Sequence, residues 1–202
     1  MRRRNLLAGA FGLGVVGVGA HVATRGISSD VDGDAPSTES ESENDNRLRP
    51  REFDRLDVRV DGSDVQWEEL GTEEVPRDGV VTNVELMRTT CSGCYRKLPH
   101  LPSAYSESGG DVQFVSVLID TVPTQTEDPR FAELWEEHGD WPLVHDPDMD
   151  IVADVRRLDG VSAVASPSSI LLDERNRPVW INVGGDSASV VEELRREIAA
   201  IS

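Results

Sequence analysis

The chain has 202 residues, with 38 acidic against 20 basic side chains and a formal charge of −18. Phosphate neutralisation needs a basic face, so this balance excludes an ordinary nucleic-acid binder and disfavours adhesion to an anionic membrane. Its two cysteines, Cys91 and Cys94, exclude a disulfide-rich scaffold and a four-cysteine zinc site.

Residues 1–27 read as an export address. Arg3 and Arg4 precede one spacer and two leucines, a pattern that resembles the twin-arginine signal, and residues 6–23 carry no charge apart from the titratable His21. Five glycines keep that stretch weakly hydrophobic, so a cleaved signal and an uncleaved anchor are both open. Residues 28–46 hold seven acids and no base or aromatic residue, and are expected to form a disordered acidic linker. The order signal, linker, domain implies an exported protein working outside the cytoplasm, secreted or tethered to the outer face of the membrane.

Residues 47–202 are expected to form one α/β domain. Residues 56–60 alternate apolar and polar, Asp61-Gly62 signals a hairpin, and residues 65–70 return as a second strand. Residues 79–87 and 111–119 are apolar runs fit for buried central strands. Between them Tyr95, Leu98, Leu101 and Tyr105 fall at helical spacing over residues 91–108, so the two strands should be parallel, joined by a right-handed crossover. Asp128 and Pro129 suggest the N-cap and first position of a helix with Phe131, Leu134 and Trp135 inward, ended by Gly139. Residues 141–145 read as a short strand, and Met149, Val152 and Val155 as another helix. Two strands, 168–172 and 178–183, form a hairpin. A last helix lines up Val190, Val191, Leu194, Ile198 and Ile201; Ser189 and Glu192 suit a capping box unless the helix begins a turn earlier. The four tryptophans are expected to pack in the core or at its edges, and the histidines to lie at the surface.

The chemistry centres on Cys91-Ser92-Gly93-Cys94, a Cys-x-x-Cys just after a strand and in the first turn of a helix. Unpaired amides and the helix dipole favour thiolate there, lowering cysteine pKa values to about 3.5–7.5 from about 8.5. Cys91, nearer the open end, is expected to be the nucleophile and Cys94 the resolving thiol. Residues 86–106 contain no acid but hold Arg88, Arg96 and Lys97, the chain's only lysine, which suggests a locally positive field. A structural disulfide would close too short a loop to stabilise much. A zinc site would need two further ligands from His100, His138 and His145. Glu85, inside an apolar run, is costly unless paired or protonated; we expect burial to favour its neutral form and let it relay a proton to or from Cys94.

With these residues in place the chain resembles the thioredoxin superfamily, in particular exported thiol–disulfide oxidoreductases of the TlpA/ResA kind, over roughly residues 53–200. Residues 84–91 match the strand leading into that family's active site, and Glu85 stands where a buried acid sits six residues before the first cysteine. Pro99 matches the proline that kinks the active-site helix, and Ser166-Pro167 matches the cis-proline that faces the cysteine pair. Thr90 stands where a tryptophan is usual, and Ser92-Gly93 replaces the Gly-Pro of thioredoxin.

The resemblance implies a thioredoxin-like fold: a central mixed β-sheet flanked by helices, with an N-terminal β-hairpin and a TlpA-like insertion over residues 141–158. It implies an active-site set of Cys91, Cys94, Glu85 and Pro167, with Thr90 and Ser166 touching substrate and backbone beside Pro167 pairing with an extended substrate segment. It implies no cofactor, a protein thiol or disulfide as substrate, a membrane electron donor, and a monomer. Reduction of partner disulfides, as in cytochrome c or copper-site maturation, is favoured over thiol oxidation. A copper carrier (usual spacing Cys-x-x-x-Cys) and a non-catalytic interaction domain remain alternatives. A peroxidase would need a proline where Val84 stands. Acid excess with a single lysine further suggests a halophilic protein, whose hydrated carboxylates repel one another less as salt rises.

Overall fold

The computed structural model describes residues 46–62, 64–120 and 129–201, within the compact unit Glu43–Ser202. The export signal, most of the acidic linker and Asp128 lie outside the described residues.

Seven strands form one mixed sheet in the order β2-β1-β5-β4-β3-β6-β7. β1 (Arg51–Asp61) and β2 (Asp64–Val75) make the N-terminal hairpin, turned at Gly62 with φ +65°. β2 runs five residues past the segment that alternation marked, because its far half pairs with Arg51–Asp54 and buries Glu73 and Val75. β3 (Val81–Met87) and β4 (Val112–Leu118) are parallel and buried at every position, as expected of central strands covered on both faces. β5 (Leu143–His145) lies parallel to β4 and antiparallel to β1, while β6 (Ser168–Leu172) and β7 (Pro178–Val183) close the other edge as a hairpin antiparallel to β3.

Side chains alternate across the sheet and build two cores. On one face Met87, Phe114, Leu118 and Leu171 meet Leu98 and Leu101, Phe131 and Trp135 of α3 (Arg130–His138), and Val191, Leu194 and Ile198 of α5 (Ala188–Ile201). On the other, Val84, Leu86, Val115, Val117 and Ile170 meet Ile151, Val152 and Val155 of α4 (Asp150–Val155). Trp135 and Trp141 are buried in an aromatic cluster, and Trp67 stacks on Phe131.

Three local expectations change. The helix over residues 91–108, expected to kink at Pro99, goes further and is broken there into α1 (Ser92–Lys97), a 3-10 turn (Leu98–His100) and α2 (Leu101–Ser108), because Pro99 and Pro102 cannot donate to the helical ladder. α3 begins after Pro129, which takes the N-cap place without a side-chain bond. α5 begins at Ala188, so Ser189 lies inside the helix instead of capping it.

Candidate functional site

The site lies at the carboxyl end of β3, where the chain leaves the sheet through Arg88, Thr89 and Thr90 and enters α1. Asp120, just beyond β4, fixes this passage by accepting the Thr89 N–H, and the Tyr95 hydroxyl donates back to the Thr89 carbonyl. Neither Asp120 nor Tyr95 was marked for this role by the sequence; their partners are backbone groups, which residue type does not announce.

Cys91 is the N-cap of α1, with extended backbone (φ −92°, ψ 105°), and its Sγ accepts the Cys94 N–H at 3.0 Å. No acidic residue stands in that first turn. Cys91 and Cys94 form a disulfide across 5.2 Å between Cα atoms. Cys91 is half-buried and Cys94 is fully buried, so a partner reaches the first sulfur and not the second.

The Ser166–Pro167 peptide is cis. Pro167 packs against the active-site turn so tightly that a Cβ on Gly93 would lie 2.7 Å from its ring Cδ. Its carbonyl accepts the Gly184 N–H at 2.7 Å, tying the loop to the end of β7. Thr90 and Ser166 both line the groove beside Cys91.

Beneath the turn lies a polar cluster with a member the sequence placed elsewhere. Glu85 is fully buried; its Oε2 accepts from Lys97 Nζ at 2.7 Å and from the Ser169 hydroxyl at 2.9 Å, and its Oε1 accepts from Asn83 Nδ2 at 3.1 Å. Lys97 is also fully buried, and its Nζ donates to the Ser169 oxygen as well. Strand geometry assembles the set: Asn83 and Glu85 are two apart on one face of β3, and Ser169 is the residue of β6 opposite Glu85. Of the two ways to bury Glu85, pairing or protonation, the structure shows pairing. Among the described residues Cys94 is not one of its hydrogen-bond partners.

Lys97 therefore does not contribute to a surface field around Cys91, and Arg96 is taken up by Asp186. Of the three cations in the acid-free window, Arg88 alone faces the groove. A readable sign of Lys97's burial is present: it stands three residues after Cys94 and four before Leu101, both buried, on the same helical stripe.

The groove beside Cys91 encloses about 390 Å³, and Val152 of α4 with its flanking residues Met149 and Arg156 helps to line it. Asp146 fixes the start of that helix by accepting the Asp150 and Ile151 N–H groups, each at 2.9 Å. Burial pushes the Asp146 carboxyl above its ordinary 3.8, against the two amides that draw it down. His145 is half-buried with its Nε2 3.0 Å from the Asp120 carbonyl oxygen, while His100 is exposed. Among the described residues no group of three or more His, Cys, Asp or Glu side chains is arranged to hold a metal ion.

No protein-family model matches the chain, and no curated protein matches it. Solved structures do. The chain is similar to a putative thiol:disulfide interchange protein DsbE from Chlorobium tepidum, with 18% identity, a TM-score of 0.53, and coverage of 77% of this chain and 94% of that one. It is also similar to a putative protein disulfide isomerase from Bacteroides thetaiotaomicron, with 15% identity, a TM-score of 0.52, and coverage of 77% and 87%. The chain has the thioredoxin-like fold. Within that class it is a mixed-sheet protein that carries a Cys-Ser-Gly-Cys disulfide at a helix start, beside a cis-proline.

Proposed function

We propose that the protein is a thiol–disulfide oxidoreductase that exchanges disulfides with protein cysteines outside the cytoplasm. The observation that carries this reading is the unequal pair: a redox disulfide with Cys91 open to a groove and Cys94 fully buried behind it. In the reducing direction the Cys91 thiolate attacks one sulfur of a partner disulfide. That S–S bond breaks, a mixed disulfide forms, and the partner's other sulfur leaves and takes a proton. Cys94 then attacks Cys91, releasing the second partner thiol and restoring the Cys91–Cys94 disulfide. Two electrons pass to the partner, and an external dithiol or membrane donor resupplies them.

The helix start and Arg88 favour the Cys91 thiolate. Glu85 and Pro167 belong to the same centre, Glu85 as the buried, Lys97-paired carboxylate beneath the active-site turn and Pro167 as the edge on which an extended partner strand lies, with Thr90 and Ser166 flanking it. The resemblance to TlpA/ResA-like proteins supports reduction, in cytochrome c or copper-site maturation. Residues 1–27 support export with a cleaved signal or a retained tether, residues 28–46 a spacer, and residues 47–202 a monomeric working domain.

A Cys94→Ser variant of the full chain tests the reading. It should hold its partner as a mixed disulfide on Cys91 that dithiothreitol releases and mass spectrometry identifies. Recovery of equal amounts of the same species with Cys91→Ser would overturn it.

A further inference from the structure

The groove beside Cys91 carries a charge opposite to that of the chain. Acids outnumber bases 38 to 20 overall, yet among the described residues no Asp or Glu lines this groove, while Arg88 and Arg156 both do. They reach it from distant parts of the chain: Arg88 follows β3, and Arg156 follows α4.

Neither guanidinium has a carboxylate partner among the described residues, and Arg88 Nη2 instead lies 3.8 Å from Met149 Sδ. Of the neighbouring acids, Asp148 is exposed and Asp120 accepts the Thr89 N–H, while three others are paired with cations. Asp150 and Asp154 pair with Arg51, Asp154 also with Arg157, and Asp186 with Arg96. Both arginines are exposed, and Met149, Val152 and Val164 give the space between them an apolar lining.

We infer that this groove selects its protein substrates by charge: it takes an extended segment whose cysteine is flanked by an aspartate or glutamate, with Arg88 and Arg156 receiving the carboxylate. The inference rests on the exchange reading and adds the substrate class. The net charge of −18 would steer acidic partners away over long distances. At about 0.15 M salt the screening length is about 8 Å, so the guanidinium groups within the groove outweigh the distant acids once the segment is seated. Guanidinium groups suit this task because they bind carboxylates in a fixed, two-pronged geometry.

The test uses the full chain, reduced with dithiothreitol and freed of it. Three peptides differ only in carrying Asp, Asn or Lys on both sides of one cysteine, each activated as its 2-pyridyl disulfide. The Cys91 thiolate attacks the peptide sulfur, the peptide–pyridyl S–S bond breaks, and 2-thiopyridone leaves, giving an absorbance that reads the rate. The expected order is Asp, Asn, Lys, with about tenfold between the extremes, the size of one or two exposed ion pairs. In the Arg88→Gln, Arg156→Gln double variant the Asp-to-Lys ratio should fall to near one. Taking a ratio removes any uniform change in Cys91 reactivity. Equal rates for all three peptides, or a faster Lys peptide, overturn the charge inference while leaving exchange standing. Rates no higher than those of Cys91→Ser for every peptide overturn both.

Discussion

Cys91 and Cys94 stand one helical turn apart, yet their surroundings differ in nearly every physical respect. The Cys91 side is open, lined by hydroxyls, apolar side chains and two arginines, and the Arg96–Asp186 ion pair nearby is partly exposed. The Cys94 side is closed, and there Glu85, Lys97 and Ser169 satisfy one another with no solvent contact. The same kinds of charge thus serve different ends. In water they are cheap and exchangeable, and suit the capture of a partner. Removed from water they are costly to separate and hold β3, α1 and β6 together.

The sharpest way to break this contrast is to remove one charge from each side. Lys97→Met leaves Glu85 buried without its cation and should destabilise the fold by about 3–5 kcal/mol in urea titrations, whereas Arg96→Gln should cost less than about 1 kcal/mol. Adding Glu85→Leu to Lys97→Met should recover most of the loss, because an apolar pair of similar volume replaces a buried ion pair at little net cost. A Lys97→Met protein as stable as wild type would show that the inner pair does not hold the elements together.

A smaller effect is expected where the two sides meet. Gly93→Ala places a Cβ 2.7 Å from the Pro167 ring, and a proline ring within a tied-down loop cannot swing aside. Overpacking of this kind costs about 1–3 kcal/mol, against a helix-propensity gain for alanine of up to about 1 kcal/mol. A lower unfolding midpoint together with slower exchange is expected; an unchanged midpoint would mean that the turn and the proline loop move apart freely.

The smallest effect lies away from both sides, in the turn between β6 and β7. Burial alone would raise the Asp173 carboxyl. The amides of Arg177 and Arg175 and the Arg177 guanidinium outweigh it and hold the group below its ordinary 3.8. A carboxyl so lowered stabilises the fold above its unfolded-state value, and that stability is lost as pH falls. Asp173→Asn should therefore lower the melting temperature slightly in the neutral range and converge with wild type as pH falls below about 4, so that the acid decline is flatter. An identical acid limb in the variant would remove Asp173 from the account.

Much of this arrangement is legible in the residue order. The doubly buried runs at β3 and β4, the hairpin turn at Gly62 and the Cys-x-x-Cys at a helix start are local patterns, each set by neighbours within a few positions. Pro99 was marked as the point where the active-site helix changes course, and the 3-10 turn occurs there. The positive window around Cys91 was visible as well; the helical stripe through Cys94 and Leu101 marks Lys97 for burial, but nothing local separates the exposed Arg88 from the Asp186-paired Arg96.

What the chain determined by itself is therefore the short-range part: the period of each strand and helix, and two thiols close enough to join. Tertiary structure alone decided the fates of its charges. Lys97 is neutralised by Glu85, 12 positions away, and hydrogen-bonded to Ser169, 72 away, and Arg156 and Arg88 line one groove although 68 positions separate them. The energy of a charge depends on how much water and which opposite charge the folded chain leaves beside it, and neither is a property of nearest neighbours in sequence.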